Sequence, residues 1–475
     1  MKRLGGPAGG AAAFALTAGL AVDEGGYNAV SYDRALFGLC AVALVAVVLW
    51  RCERPGVPAA AMLAALALLT AWTAVSWLWS DSPPRALVEA PRVALYSVAA
   101  AVVVLAGRRV EPVWIVGGVA AAATLVAIWN LVVVLRGVDR PGDAGALAAP
   151  VGYANGVALL CVIGLVLLPR LPRPALVAAL PLAADLAEQA STGALAALGA
   201  AALAYAFMTR PRLRPLVAVI AVVALALSPF AFRGHIRSQY WRVAVQEASV
   251  HPVAGSGAGT FSNWWLERRR VPLSTQEAHS LYLETLAELG PLGLALLLVA
   301  LAVPLAAAIR IREPVLAAAL VAYDVGAAVD FHWELVGVTV PAVLIGATAV
   351  VHASQRGRTI PRAVAVPVFA TLTASALLAY AGATRVAAAQ DALRAGDRIG
   401  AVAEARSALR LAPFSATAWG VIGDAESSPA AYRRALELDP NDWSLWARLA
   451  SVSKGKPRRL ALREAARLNP LASGS

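Results

Sequence analysis

The side chains best suited to chemistry lie in one hydrophilic segment, residues 233–281, within a chain that is otherwise strongly apolar. This segment holds Arg237 and Arg242 near its start, three of the five histidines, and His279 near its end. A guanidinium group keeps its charge and donates two parallel hydrogen bonds, which suits a phosphate group. A histidine titrates near neutral pH and can take a proton from a hydroxyl. The pattern predicts chemistry in which a phosphate is the leaving group.

Five residues form the candidate site: Arg237, Arg242, His279, Tyr282 and Glu284. Glu284 lies four residues before Glu288 on one face of a predicted helix, and ionisable groups at membrane depth usually face a cavity. Plainer interpretations stay open. His279 can be a hydrogen-bonded residue at a helix start, and Arg237 can be an interfacial arginine that reaches lipid headgroups.

Two other features of this segment have structural interpretations. The glycines between His251 and Phe261 predict a tight turn, because glycine adopts backbone angles that other residues resist. The pair Trp264 and Trp265 predicts an aromatic belt at the bilayer interface, with stacking on a sugar ring as the alternative.

The elements that must position these residues are apolar helices. The chain has 475 residues, of which 59% are hydrophobic and only 15% charged, against roughly 25% charged residues in soluble domains. We expect 12–13 membrane-spanning helices, because thirteen apolar stretches have about the 20 residues needed to cross a bilayer. They are 6–22, 35–50, 57–79, 89–106, 112–135, 151–168, 174–190, 192–208, 215–232, 282–309, 314–330, 336–351 and 363–382. An uncleaved first helix is preferred over a signal peptide.

Charge placement predicts the orientation of these helices. Alternate loops are rich in arginine, for example at Arg108 and Arg109 and at Arg310 and Arg312. By the positive-inside rule these loops are cytoplasmic, so the hydrophilic segment and everything after residue 383 face the extracytoplasmic side. The net charge of +12 then reflects topology, and no nucleic-acid partner is expected.

The last part of the chain, 383–475, has helical periodicity and repeats itself, which divides the protein into a membrane domain (1–382) and a small C-terminal domain. ALRLAP at 408–413, followed by Trp419, recurs as ALELDP at 435–440, followed by Trp446, and a third ending lies at 466–470. The pattern resembles tetratricopeptide repeats with shortened spacing. An ordinary small helical bundle is the alternative.

Several signatures of soluble enzymes are missing from the sequence. It has no P-loop, no G-x-G-x-x-G turn, no G-x-S-x-G elbow and no Asp-x-Asp pair that would hold a metal against a sugar nucleotide. Cys40, Cys52 and Cys161 fall in or beside predicted helices without metal-ligand spacing, so neither a disulfide nor a metal site is expected. We therefore expect no cofactor and no metal.

A set of motifs resembles the O-antigen ligase/polymerase family of bacterial membrane glycosyltransferases. They are R-x-x-x-W at 237–241, H-P-x-x-G-x-G-x-G-x-F at 251–261 and H-x-x-Y-L-x-x-L-x-E-x-G-x-x-G at 279–293, flanked by GYAN at 152–155 and DFHWE at 330–334. The resemblance covers residues 25–380 in layout and is specific over roughly 150–340.

This resemblance implies an all-α, GT-C-like bundle in the bacterial cytoplasmic (inner) membrane, with a small extracytoplasmic helical domain. It implies metal-independent transfer of a glycan from undecaprenyl pyrophosphate to a hydroxyl of a glycan, lipid or protein acceptor. Arg237 would bind the donor pyrophosphate, with Arg242 as a second candidate, and His279 would act as base or as pyrophosphate ligand. From their positions close to His279, Glu284 is predicted to take part in catalysis and Tyr282 in substrate binding. Membrane lipids and an envelope protein bound by the C-terminal repeats are the other expected partners.

One position departs from the family pattern, and other function classes stay open. The chain reads Ser191-Thr192-Gly193 where the family often has Ser-Arg-Gly, so Arg233 or one of the arginines at 268–270 would have to replace the missing cation, or activity is altered. A polytopic transporter with a midplane site is one alternative. A non-catalytic scaffold for envelope assembly is the other. Polymerase, ligase and protein O-oligosaccharyltransferase share the same motifs.

Overall fold

The computed structural model describes residues 5–49, 54–137, 148–231, 235–355 and 359–474, and helices dominate throughout. Cys52 and Arg233 lie outside the described residues. The helices are α1 Gly5–Val22, α2 Ala29–Leu49, α3 Val57–Val75, α4 Pro83–Ala106, α5 Pro112–Leu135, α6 Ala154–Leu167, α7 Ala179–Gln189, α8 Thr192–Thr209, α9 Arg214–Ala231, α10 Ile236–Val250, α11 Phe261–Arg268, α12 Leu281–Arg310, α13 Pro314–Val329, α14 Val336–Ala353, α15 Arg362–Arg394, α16 Arg398–Leu411, α17 Ala416–Glu426, α18 Pro429–Leu438, α19 Trp443–Val452 and α20 Gly455–Leu468.

Eight helices among the described residues are long and apolar enough to cross a membrane, and three shorter apolar helices accompany them. The eight are α2, α3, α4, α5, α8, α12, α14 and α15, and the shorter three are α1, α6 and α13. Because a bilayer offers no partner for an exposed backbone N–H or C=O, spanning segments of this kind are helical. The prediction of an all-α polytopic membrane protein is confirmed.

One predicted span, 174–190, takes a different form. A short 3-10 helix, Arg173–Ala178, leads into α7, which has only 11 residues. At about 1.5 Å per residue this helix is far shorter than the roughly 30 Å hydrocarbon layer. It buries Asp185, whose carboxylate accepts hydrogen bonds from Asn130 at 2.6 Å and from the Cys161 thiol at 3.2 Å. Apolar composition predicted a span here, whereas the structure forms a short 3-10 helix and an 11-residue helix that buries a carboxylate.

Small residues let the membrane helices pack closely around α14, which is almost entirely buried. Helix α1 lies against α5, where a Cβ added to Gly118 would come within 2.2 Å of the Gly10 carbonyl oxygen. Helix packing of this kind in lipid depends on close van der Waals contact, which small residues permit. The first apolar stretch is therefore packed as a helix of the bundle.

Contacts among the arginine-bearing loops place them at one end of the bundle. Arg108 donates to the carbonyl oxygens of His352 and Ser354 at 2.8 and 2.9 Å, and Arg170 pairs with Glu313 at 3.3 Å. These loops were predicted to share one side of the membrane. Which end faces the cytoplasm stays a prediction.

Helix α15 is continuous over 33 residues and runs from the membrane helices into the C-terminal helices α16–α20, each of which packs on the next. The predicted domain boundary at residue 383 falls inside this helix. The C-terminal helices contact the membrane domain through Ser82, whose hydroxyl donates to Asp439 at 2.7 Å, and through Asn441, which donates to the Asp81 carbonyl oxygen at 2.6 Å. The similarity of these helices to tetratricopeptide repeats stays a prediction.

Candidate functional site

The hydrophilic segment folds into helices α10 and α11 around a hydrophobic core of its own, built from Tyr240, Phe261, Trp264 and Trp265 among others. Trp265 is fully buried, and its indole N–H donates to the Leu273 carbonyl oxygen at 2.8 Å. Trp264 is 8% exposed. Both tryptophans are therefore packed inside the protein and not on a lipid-facing surface, so the predicted interfacial belt is wrong for this pair.

The glycine-rich turn packs backbone to backbone against α12. Gly290 has φ of 67° inside that helix and breaks it, and Gly255 has φ of 73° in the turn. A Cβ on Gly255 would lie 2.2 Å from the Glu288 carbonyl oxygen, and one on Gly290 would lie 2.6 Å from that of Val253. Only glycine fits such an approach in this conformation. The break leaves helix carbonyls without helical partners, and the N–H groups of Ser256 and Gly257 bond to two of them at 3.1 and 2.9 Å.

Two buried carboxylates also stabilise the contact between the glycine-rich turn and α12. Glu288 accepts from the backbone N–H groups of Gly259 and Phe261 at 2.8 and 2.9 Å. Glu247 accepts from the hydroxyls of Ser256 and Thr260 at 2.6 and 3.0 Å. Burial, followed by the nearby Glu288 charge, raises the pKa of Glu247 well above its usual range. These bonds fix the turn to the first part of α12, the helix that begins two residues after His279.

Three of the motif segments, 152–155, 237–241 and 330–334, meet at the carboxylate of Asp330. Arg237 donates from Nη2 to Oδ2 at 2.7 Å, Asn155 donates to the same oxygen at 2.7 Å, and Tyr153 donates to Oδ1 at 2.8 Å. Asp330 is 2% exposed and Arg237 is 8% exposed. A buried charge needs this degree of pairing and hydrogen bonding to be tolerated. Asp330 therefore holds Arg237 in one orientation.

His279 lies beside this cluster in a backbone conformation that is costly for histidine. Its φ is 54°, and residues held in such conformations gather at functional sites. Its ring packs against Tyr240 and Phe331 with centroids 4.9 and 4.8 Å apart. Its Nδ1 lies 3.2 Å from the Glu277 carbonyl oxygen. In the tautomer in which Nδ1 donates to that oxygen, Nε2 is the basic nitrogen.

Electrostatics keep Asp330 ionised and its histidine neighbour neutral. Burial opposes ionisation of Asp330, but the interactions of its carboxylate with His332, Arg237 and His279 outweigh burial and lower the carboxyl pKa. Burial lowers the pKa of His332 to about 4. At neutral pH the permanent charge of Arg237 is therefore the main partner of the Asp330 carboxylate.

The other predicted residues lie apart from this cluster. Tyr282 donates to the Asp324 carbonyl oxygen at 3.1 Å, and Glu284 accepts from the Ala278 N–H at 2.6 Å. Arg242 is half-buried on α10 and makes no ion pair within the part of the chain that the structure describes. Gly193, next to Thr192, lies against Val329, with 3.4 Å between its added Cβ and a valine methyl. Thr192, the first residue of α8, is therefore next in sequence to a glycine that lies against the last residue of α13.

A large cavity of about 1430 Å³ opens beside the site, between the membrane helices and the C-terminal helices. Glu284 lines it, whereas Arg237, Arg242, His279 and Tyr282 do not. Most residues that line this cavity were not among the site residues predicted from the sequence. The clearest omission is Arg92, a buried arginine inside the apolar helix α4, which pairs with Glu89 and lies 3.8 Å from Glu334. An arginine in a membrane-spanning helix is itself a signal of function.

A comparison with known protein families finds a match in the part of the chain that contains this site. Residues 175–298 match the family model described as O-antigen ligase. The O-antigen ligase match covers about a quarter of the chain and contains all five predicted site residues, whereas Asp330 lies beyond it. It supports the resemblance drawn from the motifs and points to a multi-pass membrane protein with a ligase or polymerase type of activity. No curated protein matches the chain.

The arrangement places Arg237 on Asp330 and His279 against the neighbouring Phe331, close to the starts of α10 and α12. No group of three or more His, Cys, Asp or Glu side chains that could hold a metal ion occurs in the described ranges. The chemistry that these residues offer is anion binding by Arg237 and proton acceptance by His279.

Proposed function

We propose that this protein is a membrane glycosyltransferase that transfers a glycan from undecaprenyl pyrophosphate to an acceptor hydroxyl. The acceptor is a glycan, lipid or protein, as in polymerases, ligases and protein oligosaccharyltransferases, and the site faces the outside of a bacterial cytoplasmic membrane. The observation that carries the proposal is the convergence of Arg237, His279 and Asp330 within and beside the O-antigen ligase match.

In the proposed reaction, His279 takes the proton of the acceptor hydroxyl as its oxygen attacks the anomeric carbon of the donor. The bond from that carbon to the pyrophosphate oxygen breaks, and the pyrophosphate leaves with the electron pair. Arg237 stabilises the charge that develops on it. The ion pair to Asp330 involves Nη2, and a guanidinium has five N–H donors, so others can bind a phosphate oxygen.

The position of the cluster favours this proposal over a transporter. Asp330 follows the end of α13, His279 precedes the start of α12, and Arg237 is the second residue of α10. The polar groups therefore gather where helices end, whereas a transporter of the inverted-repeat type binds its substrate near the bilayer midplane.

Transfer in proteoliposomes tests the proposal. Purified wild-type protein is reconstituted with an undecaprenyl-pyrophosphate-linked oligosaccharide and several acceptors, and product is followed with and without a metal chelator. We expect turnover that the chelator does not reduce. His279→Ala and Arg237→Lys should each lower the rate at least about 100-fold, because each removes a group that acts in the transition state.

Matched controls are His352→Ala and Arg310→Ala, which replace a histidine and an arginine at the opposite end of α14 and α12. Both should transfer at the wild-type rate. Absence of turnover in the wild type with every acceptor would overturn the proposal and favour the scaffold.

A further inference from the structure

The cavity beside the site is shared by both parts of the protein. Its volume is about 1430 Å³, which exceeds the roughly 300–1,000 Å³ of most small-molecule pockets. Arg92, Glu284 and Trp333 line it from the membrane domain, and Thr417 and Trp443 line it from the C-terminal helices. A ligand that fills it would touch both.

The charge of the lining opposes an anionic ligand. Eleven carboxyl side chains and four arginines line the cavity. Three of these arginines, Arg34, Arg92 and Arg394, are already paired with acidic neighbours. Burial raises the pKa of Glu277 and of Glu334, so these two carboxyls retain protons more readily and can donate hydrogen bonds as well as accept them. The repulsion of an anionic ligand then rests on the other carboxylates of the lining.

Three deeply buried side chains in the lining have polar atoms with no hydrogen-bond partner among the described residues. They are Arg92 through Nε and Nη1, Asp33 through Oδ1 and Thr73 through Oγ1, and their exposures are 6%, 4% and 1%. Buried polar groups are nearly always satisfied, so these three residues mark a part of the cavity wall where a bound polar group that reaches in would gain hydrogen bonds. Arg92 needs an acceptor, Asp33 needs a donor, and a hydroxyl group is both.

Aromatic side chains in the lining supply an apolar surface for the ligand. Trp333 belongs to the membrane domain and Trp443 to the C-terminal helices, and both line the cavity. An indole ring offers an apolar surface to the C–H groups of a ligand whose hydroxyls bind elsewhere.

We propose that this cavity binds several sugar units of an uncharged or cationic glycan and discriminates against glycans that carry carboxylates. The C-terminal helices thereby form one wall of a glycan site. The inference rests on the proposed function in taking the hydroxyl-rich ligand to be a glycan. Binding is measured without turnover, however, so the two can fail separately.

Full-length protein in nanodiscs of zwitterionic lipid tests the charge selectivity. Binding of three oligosaccharides of equal length, made of glucose, glucosamine and galacturonic acid, is measured by calorimetry at neutral pH. We expect the glucose and glucosamine oligomers to bind and the galacturonate oligomer to bind at least about tenfold more weakly, because like charges repel across a partly buried site. Equal or tighter binding of the galacturonate oligomer would overturn the inference.

Two tryptophans on α19 test the role of the C-terminal helices. Trp443 lines the cavity, whereas Trp446 does not and donates to the Pro440 carbonyl oxygen at 2.8 Å. Trp443→Ala should weaken binding of the glucose oligomer at least about fivefold, and Trp446→Ala should leave it unchanged.

Equal binding by wild type and Trp443→Ala would show that the C-terminal helices do not contribute. Failure of all three oligosaccharides to bind the wild type would overturn the cavity as a glycan site. The proteoliposome assay decides the proposed transfer reaction independently: glycan binding without turnover would support the cavity and contradict the transferase.

Discussion

Arg237 donates a hydrogen bond to Asp330 over 2.7 Å, and both side chains are almost fully buried although 93 residues separate them in the sequence. The pair joins the start of α10 to the end of α13. Asp330 also accepts from Tyr153 and Asn155, at the start of α6. One carboxylate thus holds three segments of the site together.

The first prediction separates the structural role of this pair from its chemical role. Arg237→Gln leaves the Asp330 charge buried without its cation and should lower the free energy of unfolding by about 3 kcal/mol. The double variant Arg237→Gln, Asp330→Asn should regain most of this stability yet stay inactive. Thermal unfolding in detergent, together with the transfer assay, measures both effects.

A surface pair is the control for that experiment. Arg385 pairs with Glu404 at 2.8 Å and is half exposed, so Arg385→Gln should change stability by less than about 1 kcal/mol. A double variant as unstable as the single one would show that the charge of Asp330 is not what Arg237 compensates.

The second prediction concerns pH. Folded His332 has a pKa lowered to about 4 from 6.5, so below pH 6.5 the unfolded chain binds a proton that the folded protein resists. Stability from this residue is full above pH 6.5 and falls as the pH drops towards 4, by about 2 kcal/mol between pH 8 and 5. His332→Leu should make the stability curve shallower by that amount over this range.

Thermal unfolding of wild type and His332→Leu at several pH values measures the difference. Asp330 affects stability in a different pH range. Its pKa is lowered from 3.8, so the stability that it contributes is lost only as the pH falls through that lowered pKa. Parallel curves for the two proteins between pH 8 and 5 would contradict the prediction.

The third prediction concerns the break in α12. Gly290→Ala adds a methyl group 2.6 Å from the Val253 carbonyl oxygen at a φ of 67°, so it should destabilise the protein by at least about 2 kcal/mol. Gly199→Ala is the matched control, since its added Cβ meets nothing within 4 Å and helix propensity favours alanine by about 1 kcal/mol. Equal melting temperatures for the two variants would refute the close approach of the turn and the helix.

The fourth prediction concerns the docking of the C-terminal helices. Asp439 is buried and accepts from the Ser82 hydroxyl at 2.7 Å, so Ser82→Ala leaves a buried carboxylate oxygen short of a partner at a cost of about 1–3 kcal/mol. Amide hydrogen exchange in α18 and α19 should become faster. Ser451→Ala, on the exposed face of α19, should not change it, and the same exchange in all three proteins would argue against this contact.

Much of the architecture follows from local sequence. Apolar length predicted the membrane helices because each must satisfy its own backbone hydrogen bonds in lipid. The glycines between His251 and Phe261 predicted a tight turn because glycine adopts backbone angles that other residues resist, and Gly255 has a positive φ in that turn. Arg237 and His279 were chosen as candidates because their chemistry is visible in a chain with few charged residues.

The sequence alone determined the all-helical membrane class and the segment that holds the candidate site, because both depend on composition and on short motifs. Only the tertiary structure decided that Asp330 fixes Arg237, that Trp264 and Trp265 form a core, and that Arg92 lines a cavity to which the C-terminal helices contribute. These are contacts between residues far apart in the chain. No local pattern encodes them, because burial and pairing depend on how the helices pack against one another.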